Sequence, residues 1–386
     1  MLILCFLIII TLLAGIYIHI PFCKQACHYC DFHFSTSLSL KEKFLEAIET
    51  EISLQKEYLY NETVETIYFG GGTPSLLSSS EISKQLEQLR STFVINENTE
   101  VTLEANPDDL SRTKLEDLYS AGINRLSIGI QSFDNNILTY LNRAHNAVEA
   151  FECVEQARMI GFENISIDLI YAIKEDNHKR WQRDLEKCLS LHPEHISAYS
   201  LTIEEKTAFG NWLNKGKISV VNDAFAVDEY NMLCEALGEN GYDHYEVSNF
   251  SLPGLASKHN SNYWRQQKYL GLGPSAHSYN QISRHFNISN NNLYIKALIR
   301  QELPNEIEYL AVEDQINEYL LTGLRTSWGC EIDKLKDYGL DVLTQHKKYI
   351  EELESRKMII LENNCMRLTE KGLLMADKIA SDMFIV

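Results

Sequence analysis

A chain of 386 residues is too long for one small module and points to two or three packed domains. With 45% apolar and 23% charged residues it has an ordinary globular composition, which excludes a disordered chain or a coiled coil. Its 54 acidic residues outweigh 35 basic ones, a net charge of −19 that repels phosphate backbones, so no nucleic-acid partner is expected.

The chain begins with Leu2–Ala14, LILCFLIIITLLA, in which only Thr11 is polar. Nothing basic precedes Lys24, against a secretory signal, and the run falls short of the ~20 apolar residues that a spanning helix needs. Residues 1–14 are expected to be an apolar extension outside the fold, with membrane contact as the alternative. Nine cysteines form no even ladder of spacings, so the sequence is not a secreted disulfide scaffold and a reducing, cytoplasmic location is expected.

From Gly15 a regular alternation sets in. Short β-branched or aromatic runs at Ile16–Ile20, Thr66–Phe69, Val101–Ala105, Leu126–Ile130, Ile165–Ile170 and Ile196–Ser200 predict strands. Helical periodicity fills the gaps, at Leu40–Tyr58, Ser80–Thr92, Ser111–Ala121, Ala147–Ile160 and His178–Leu191. Gly122 and Gly161 follow two of these helices where a left-handed cap is expected. Alternating strands and helices predict an α/β parallel sheet rolled into an open (β/α)6 partial barrel over residues 15–210. Residues 211–300 break the rhythm, with one helix at Asp223–Glu239 and strands at Tyr242–Val247 and Tyr269–Leu272, and are expected to cover the barrel. Residues 301–386 predict helices at Glu313–Thr326 and Asp341–Arg356, then a hairpin about Asn363-Asn364, a winged-helix-like α+β domain. Its 17 acidic and 10 basic side chains argue for a structural cap rather than a DNA reader.

Chemistry concentrates after the first strand. Cys23, Cys27 and Cys30 are close enough to face one metal centre. Spacing alone leaves three readings open: an iron–sulfur cluster with one open iron, a zinc site completed by His28 or His33, or three unrelated buried thiols. Gly70-Gly71-Gly72-Thr73-Pro74 follows the second strand, and successive glycines let a backbone approach a ligand. Glu104, Gln131, Asp168 and Ser200 lie in or at the ends of later strands, on the rim where parallel barrels build their active sites.

The segments GIYIHIPFCKQACHYCDF, FGGGTPSLL, LEANPDDL, RLSIGIQSF, LNRAH, IDLIY, YEVSNFSLPG and YLGLGPSAHSY resemble, in order and spacing, the oxygen-independent coproporphyrinogen-III-oxidase-like subfamily of radical S-adenosylmethionine (SAM) proteins. The resemblance spans about residues 15–380. It implies a 4Fe–4S cluster on Cys23, Cys27 and Cys30, whose open iron takes the amino and carboxylate groups of SAM. By the same resemblance Tyr17 and Tyr29 flank the cofactor, and Gly71, Gly72 and Thr73 receive its methionyl amino group. Glu104, Gln131, Arg143 and Asp168 match further SAM-contacting positions.

Within that subfamily the chain resembles the heme-chaperone branch. The dehydrogenase branch carries another cysteine two residues after the third, where this sequence has Phe32. The heme signature H-N-x-x-Y-W reads His259-Asn260-Ser261-Asn262-Tyr263-Trp264, implying His259 as an axial heme ligand. Asn260, Tyr263 and Trp264 would complete the site, with the aromatic rings packed on the porphyrin. This segment is expected to stand apart from the cysteine loop. The resemblance further implies a heme-accepting protein and an electron donor as partners, and porphyrin biosynthesis as the setting of the subfamily. The alternative is coproporphyrinogen III decarboxylation, and a different class is a zinc-dependent interaction protein. One departure concerns the strand-five loop: the family's D-L-I-Y-G-L/I-P stands here as Asp168-Leu169-Ile170-Tyr171-Ala172-Ile173-Lys174, which gives up a preset turn and is expected to reshape the loop.

Overall fold

The structure is a computed structural model and describes residues 13–60 and 62–385. Most of the apolar extension, residues 1–12, lies outside them. Leu13 and Ala14 do not: they open strand β1 (Leu13–Ile20), where Ala14 is fully buried and pairs with Val64 and Lys268. The fold therefore begins at Leu13 or earlier, before the Gly15 start expected from the β-branched run.

The expected units follow in order: α1 (Lys41–Leu54), β2 (Thr63–Gly71), α2 (Ser79–Thr92), β3 (Ile95–Ala105), α3 (Arg112–Ser120), β4 (Arg125–Gln131), then two helices, α4 (Asn135–Tyr140) and α5 (Ala147–Ile160). They close with β5 (Ile165–Tyr171), α6 (Lys179–Ser190) and β6 (His195–Ser200). Adjacent strands from β1 to β6 pair parallel in sequence order. Local rules place the ends: Ser78 and Asn146 form capping boxes with Glu81 and Glu149, and Gly161 takes φ +115° at the end of α5. Alternation along β4 shows how the barrel is filled. Leu126, Ile128 and Ile130 are fully buried in the apolar core, while Arg125, Ser127, Gly129 and Gln131 line the cavity within.

Beyond β6 run α7 (Ala208–Asn214), α8 (Asp223–Glu239), β7 (Asp243–Glu246), β8 (Asn249–Ser251), α9 (Lys258–Trp264), β9 (Lys268–Leu272), β10 (His277–Tyr279), β11 (Ser283–Asn287), α10 (Asn291–Ile299) and β12 (Asn305–Tyr309). These strands extend the sheet rather than only cover it. β9 adds parallel to β1, β8 adds antiparallel to β6, and the open sheet runs β12-β11-β10-β9-β1-β2-β3-β4-β5-β6-β8-β7. The sheet thus continues to Tyr309, past the boundary expected at residue 300.

The C-terminal unit has α11 (Val312–Leu324), β13 (Cys330–Glu331), α12 (Ile332–Asp337), α13 (Val342–Gln345), α14 (Lys347–Ser355), β14 (Ile359–Glu362) and β15 (Cys365–Leu368). The helix expected at 341–356 breaks at His346. Asn363 and Asn364, φ +51° and +62°, make the hairpin turn, and three strands pair β13-β15-β14 over a separate core about Leu320, Leu335 and Met366. Arg325 ties this unit to the barrel's edge through Glu246 at 3.1 Å. Among the described residues no helix is long and apolar enough to cross a membrane.

The strand-five turn forms without a glycine. Ala172 takes φ +58°, and its N–H donates to the buried Glu229 of α8 at 2.6 Å. A Cβ in the left-handed region costs about 1–2 kcal/mol, which this contact offsets. Ala172→Gly is expected to raise unfolding free energy by about 1 kcal/mol in urea titration with the m-value unchanged; a loss of stability would show that the turn is not strained.

Candidate cofactor site

The cysteine loop leaves the end of β1 and folds over the mouth of a cavity of about 390 Å³ inside the barrel. It is pinned at several points. The Cys23 N–H donates to Ser35 O (3.0 Å), the His28 N–H to Leu141 O (3.1 Å), and Lys24 pairs with Asp108 (2.8 Å) and with Asp109. His19 on β1 donates through Nε2 to the His33 carbonyl at 2.8 Å. Cys23, Cys27 and Cys30 all line the cavity as partly buried free thiols. Burial raises the Cys23 thiol and pushes Cys30 up to about 12, so both need a metal to ionise them.

Among the described residues no three His, Cys, Asp or Glu side chains converge on a point that one ion could occupy. Each histidine that would complete such a site has one ring nitrogen engaged, His28 Nδ1 with Tyr140 O (2.9 Å) and His33 Nε2 with Asn291 Oδ1 (2.7 Å), an arrangement that leaves the other nitrogen for a ligand. A cuboidal cluster, which bonds each thiolate to a different iron, suits thiols that share a cavity without meeting at one point.

The glycine segment has a further reason beside the one its sequence suggests. A Cβ on Gly72 would lie 2.7 Å from the carbonyl oxygens of Ile20 and Phe22, and one on Gly71 would meet the His19 ring at 2.5 Å. The Ile20 and Phe22 backbone and the His19 ring crowd these glycines on one side, while Gly71 and Gly72 also line the cavity. Gly72 and Thr73 donate their N–H groups to Ile20 O and Phe22 O at 2.8 and 2.7 Å, which ties the segment to the cysteine loop's exit.

Inside the cavity the other expected SAM positions converge, except Tyr17, which does not line it. Glu104 accepts from Tyr68 Oη (2.8 Å) and the Gly71 N–H (3.1 Å), and burial raises its carboxyl to about 7. Asp168 accepts from Ser127 Oγ at 3.3 Å and is raised to about 6, again by burial, with Arg125 opposing. Gln131 sits at φ +67°, a strained strand end on the rim. Arg143 reaches Cys27 Sγ (3.3 Å), Asn106 Oδ1 (2.5 Å) and Gly129 O (2.7 Å), bridging the thiol loop to β3 and β4. Tyr29 packs with Ile137, Leu141 and Ile170 beside the third cysteine, while Tyr17 stacks on Tyr68 at 6.0 Å. Sequence reading missed Arg125, Ser127, Ser197 and Tyr68, which line the same cavity. The signal was present in β4, where an arginine and a serine share the face of Gln131.

The heme motif is not apart from this site. It forms α9, and the His259 ring stacks on Tyr68 (4.9 Å) and Tyr17 (6.3 Å). His259 is 2% exposed, and both ring nitrogens are engaged, Nδ1 with Thr66 Oγ1 (2.8 Å) and Nε2 with Tyr263 Oη (2.9 Å). Burial holds its pKa down at about 3, so the ring is neutral, but neither nitrogen is free for iron in this conformation. Tyr263 packs T-shaped with Tyr269, and Trp264 lies under the Arg325 guanidinium at 5.3 Å. Asn260 alone of the four lines the cavity.

Residues 17–188 match the Radical SAM superfamily model and residues 310–375 the HemN C-terminal domain. The heme chaperone HemW of Lactococcus lactis is 35% identical over 357 residues, covering 92% of this chain and 93% of that protein. HemW of Bacillus subtilis is 34% identical over 368 residues, covering 94% and 97%. The chain belongs to the HemW branch of the radical SAM superfamily. The fold agrees: coproporphyrinogen III oxidase (HemN) from Escherichia coli superposes with a TM-score of 0.82 over 96% of this chain and 90% of that one, at 22% identity.

Membership of the radical SAM superfamily brings a 4Fe–4S cluster and SAM as cofactors, and the residues present fit both. Three thiols share the mouth, and two carboxylates and an arginine stand behind them to meet an ammonium, a ribose diol and a carboxylate. Anaerobically reconstituted Cys27→Ala should lose the broad visible absorption and the iron of the cluster, while Cys153→Ala, a change in the core, should keep both; retained iron and sulfide in the first variant would reject the site. Glu104 gives a pH test. Its carboxyl is raised from 4.5 to about 7 by folding, so its penalty is absent below pH 4.5 and complete above pH 7. Glu104→Gln should therefore stabilise the cofactor-free protein by about 1–2 kcal/mol at pH 8 and not at pH 4.5, read by thermal unfolding at both values.

Proposed function

We propose that this chain is a heme chaperone that binds a 4Fe–4S cluster, SAM and heme, and hands the heme to an acceptor protein. What carries the reading is its likeness over nearly its whole length to two proteins named heme chaperone HemW, in a chain that keeps the HNxxYW segment. Cys23, Cys27 and Cys30 would hold the cluster. Tyr17, Tyr29, Gly71, Gly72, Thr73, Glu104, Gln131, Arg143 and Asp168 would surround SAM. His259 would ligate heme iron, with Asn260, Tyr263 and Trp264 beside it. A reducing compartment such as the cytoplasm and an electron donor for the cluster belong to the same proposal.

The closed position of α9 makes heme loading a conformational step. To free Nε2, His259 must part from Tyr263, and the segment is poorly satisfied where it lies. Asn262 Nδ2, Trp264 Nε1 and Gln267 Oε1 are buried without hydrogen-bond partners among the described residues. Each such orphan costs about 1–3 kcal/mol, which lowers the cost of moving α9 outward. Against coproporphyrinogen chemistry stands Phe32, 66% exposed at the cavity mouth in place of the additional cysteine.

An anaerobic preparation tests the proposal directly. It should bind heme with a Soret band and release it to an apo-hemoprotein, and should not consume coproporphyrinogen III; the reverse pattern makes it the oxidase. His259→Ala should weaken heme binding and shift the ferric heme spectrum. Wild-type affinity and spectrum in that variant would move the ligand to exposed His277 or to His285.

A further inference from the structure

Arg125 begins β4 and lines the inner cavity, 1% exposed. The other arginines buried in or against the sheet have partners: Arg158 with Glu194, Arg180 with Asp184, Arg284 with Glu318, and Arg143 as described above. Arg125 has none. Among the described residues no carboxylate oxygen lies within 4.0 Å of it, and its Nε has no hydrogen-bond partner. A guanidinium cannot discard its charge, and taking it out of water unpaired is among the costliest things a fold can do. The nearest carboxylates do not resolve this. Glu104 and Asp168 face the same cavity and hold Tyr68, the Gly71 N–H and Ser127, but neither comes within ion-pair distance of Arg125. The two histidines near Arg125 are of no help, since both His195 nitrogens and both His259 nitrogens are already bonded within the barrel.

We propose that Arg125 is the anchor of a carboxylate-binding subsite in the cavity, sharing its ligand with Asn260 of α9. A planar fork of N–H donors suits a carboxylate, and Asn260 links that ligand to the heme motif. Two sources share the chemistry: a propionate of heme, which rests on the proposed function, and the carboxylate of SAM, which does not. Either would give the buried charge the partner that the protein withholds.

The test uses the reconstituted full-length protein with Arg125→Met and Arg125→Lys, titrated with heme, heme dimethyl ester and SAM, and unfolded thermally without ligand. Arg125→Met should bind one acid ligand about ten-fold or more weakly, with Arg125→Lys in between. If the source is a propionate, heme affinity falls and dimethyl-ester affinity is the same in variant and wild type. If the source is SAM, only SAM affinity falls. In either case the ligand-free Met variant should unfold at or above the wild-type temperature, because an unpaired buried charge has been removed. Unchanged affinity for both acids overturns the proposal, and so does a lowered unfolding temperature with all three ligands weakened together, which would make Arg125 structural. Wild-type protein that binds no heme would reject the chaperone reading alone and leave the SAM titration to judge Arg125.

Discussion

The site depends on a space too small for a Cβ. Gly72 lies against the carbonyls of Ile20 and Phe22, the last turn of chain before Cys23. This contact fixes where the cysteine loop leaves β1 relative to β2, and so where three thiols stand over the barrel. The hydrogen bonds from Gly72 and Thr73 to the same two carbonyls make the junction rigid. A side chain at Gly72 would push the loop off the rim before it touched any cofactor.

Behind that junction the barrel holds charge where most cores hold hydrocarbon. Two carboxylates raised by burial and Arg125 occupy its inward faces, with Arg143 and the neutral His259 packed against them, while the outward faces of the same strands are Leu, Ile and Val. Such an interior is stable only when its donors and acceptors are nearly matched. Among the described residues Glu104, Asp168 and Arg143 have partners, and Arg125 has none. The mismatch sits in the cavity, where binding and stability make opposite demands.

The stack of Tyr17, Tyr68 and His259 joins two sites that sequence order separates by most of the chain. Tyr68 holds Glu104 through its hydroxyl and carries His259 against its ring. Moving α9 would therefore remove one wall from Tyr17 and Tyr68, so the two proposed sites are coupled by contact and not only by reading order. Arg325, with its guanidinium over Trp264 and its ion pair to Glu246, extends that contact to the C-terminal unit.

The parallel barrel, the cysteine loop and the rim residues were legible in the sequence because each is set locally. Period-two runs, capping residues such as Ser78 and Asn146, and motif spacing act within a few residues. The same rules read the strand-five loop as reshaped, whereas Ala172 keeps the left-handed turn with help from Glu229, a partner far along the chain. Local pattern likewise gave no hint that β9 joins β1, that His259 is saturated by Thr66 and Tyr263, or that Arg125 is left without a partner. Those facts depend on which groups folding brings within about 3 Å of one another, and hydrogen bonds and ion pairs form on that distance rather than on separation in sequence. The sequence by itself determined the elements and the types of chemistry; only the tertiary structure decided which polar groups were satisfied and which were left for a ligand.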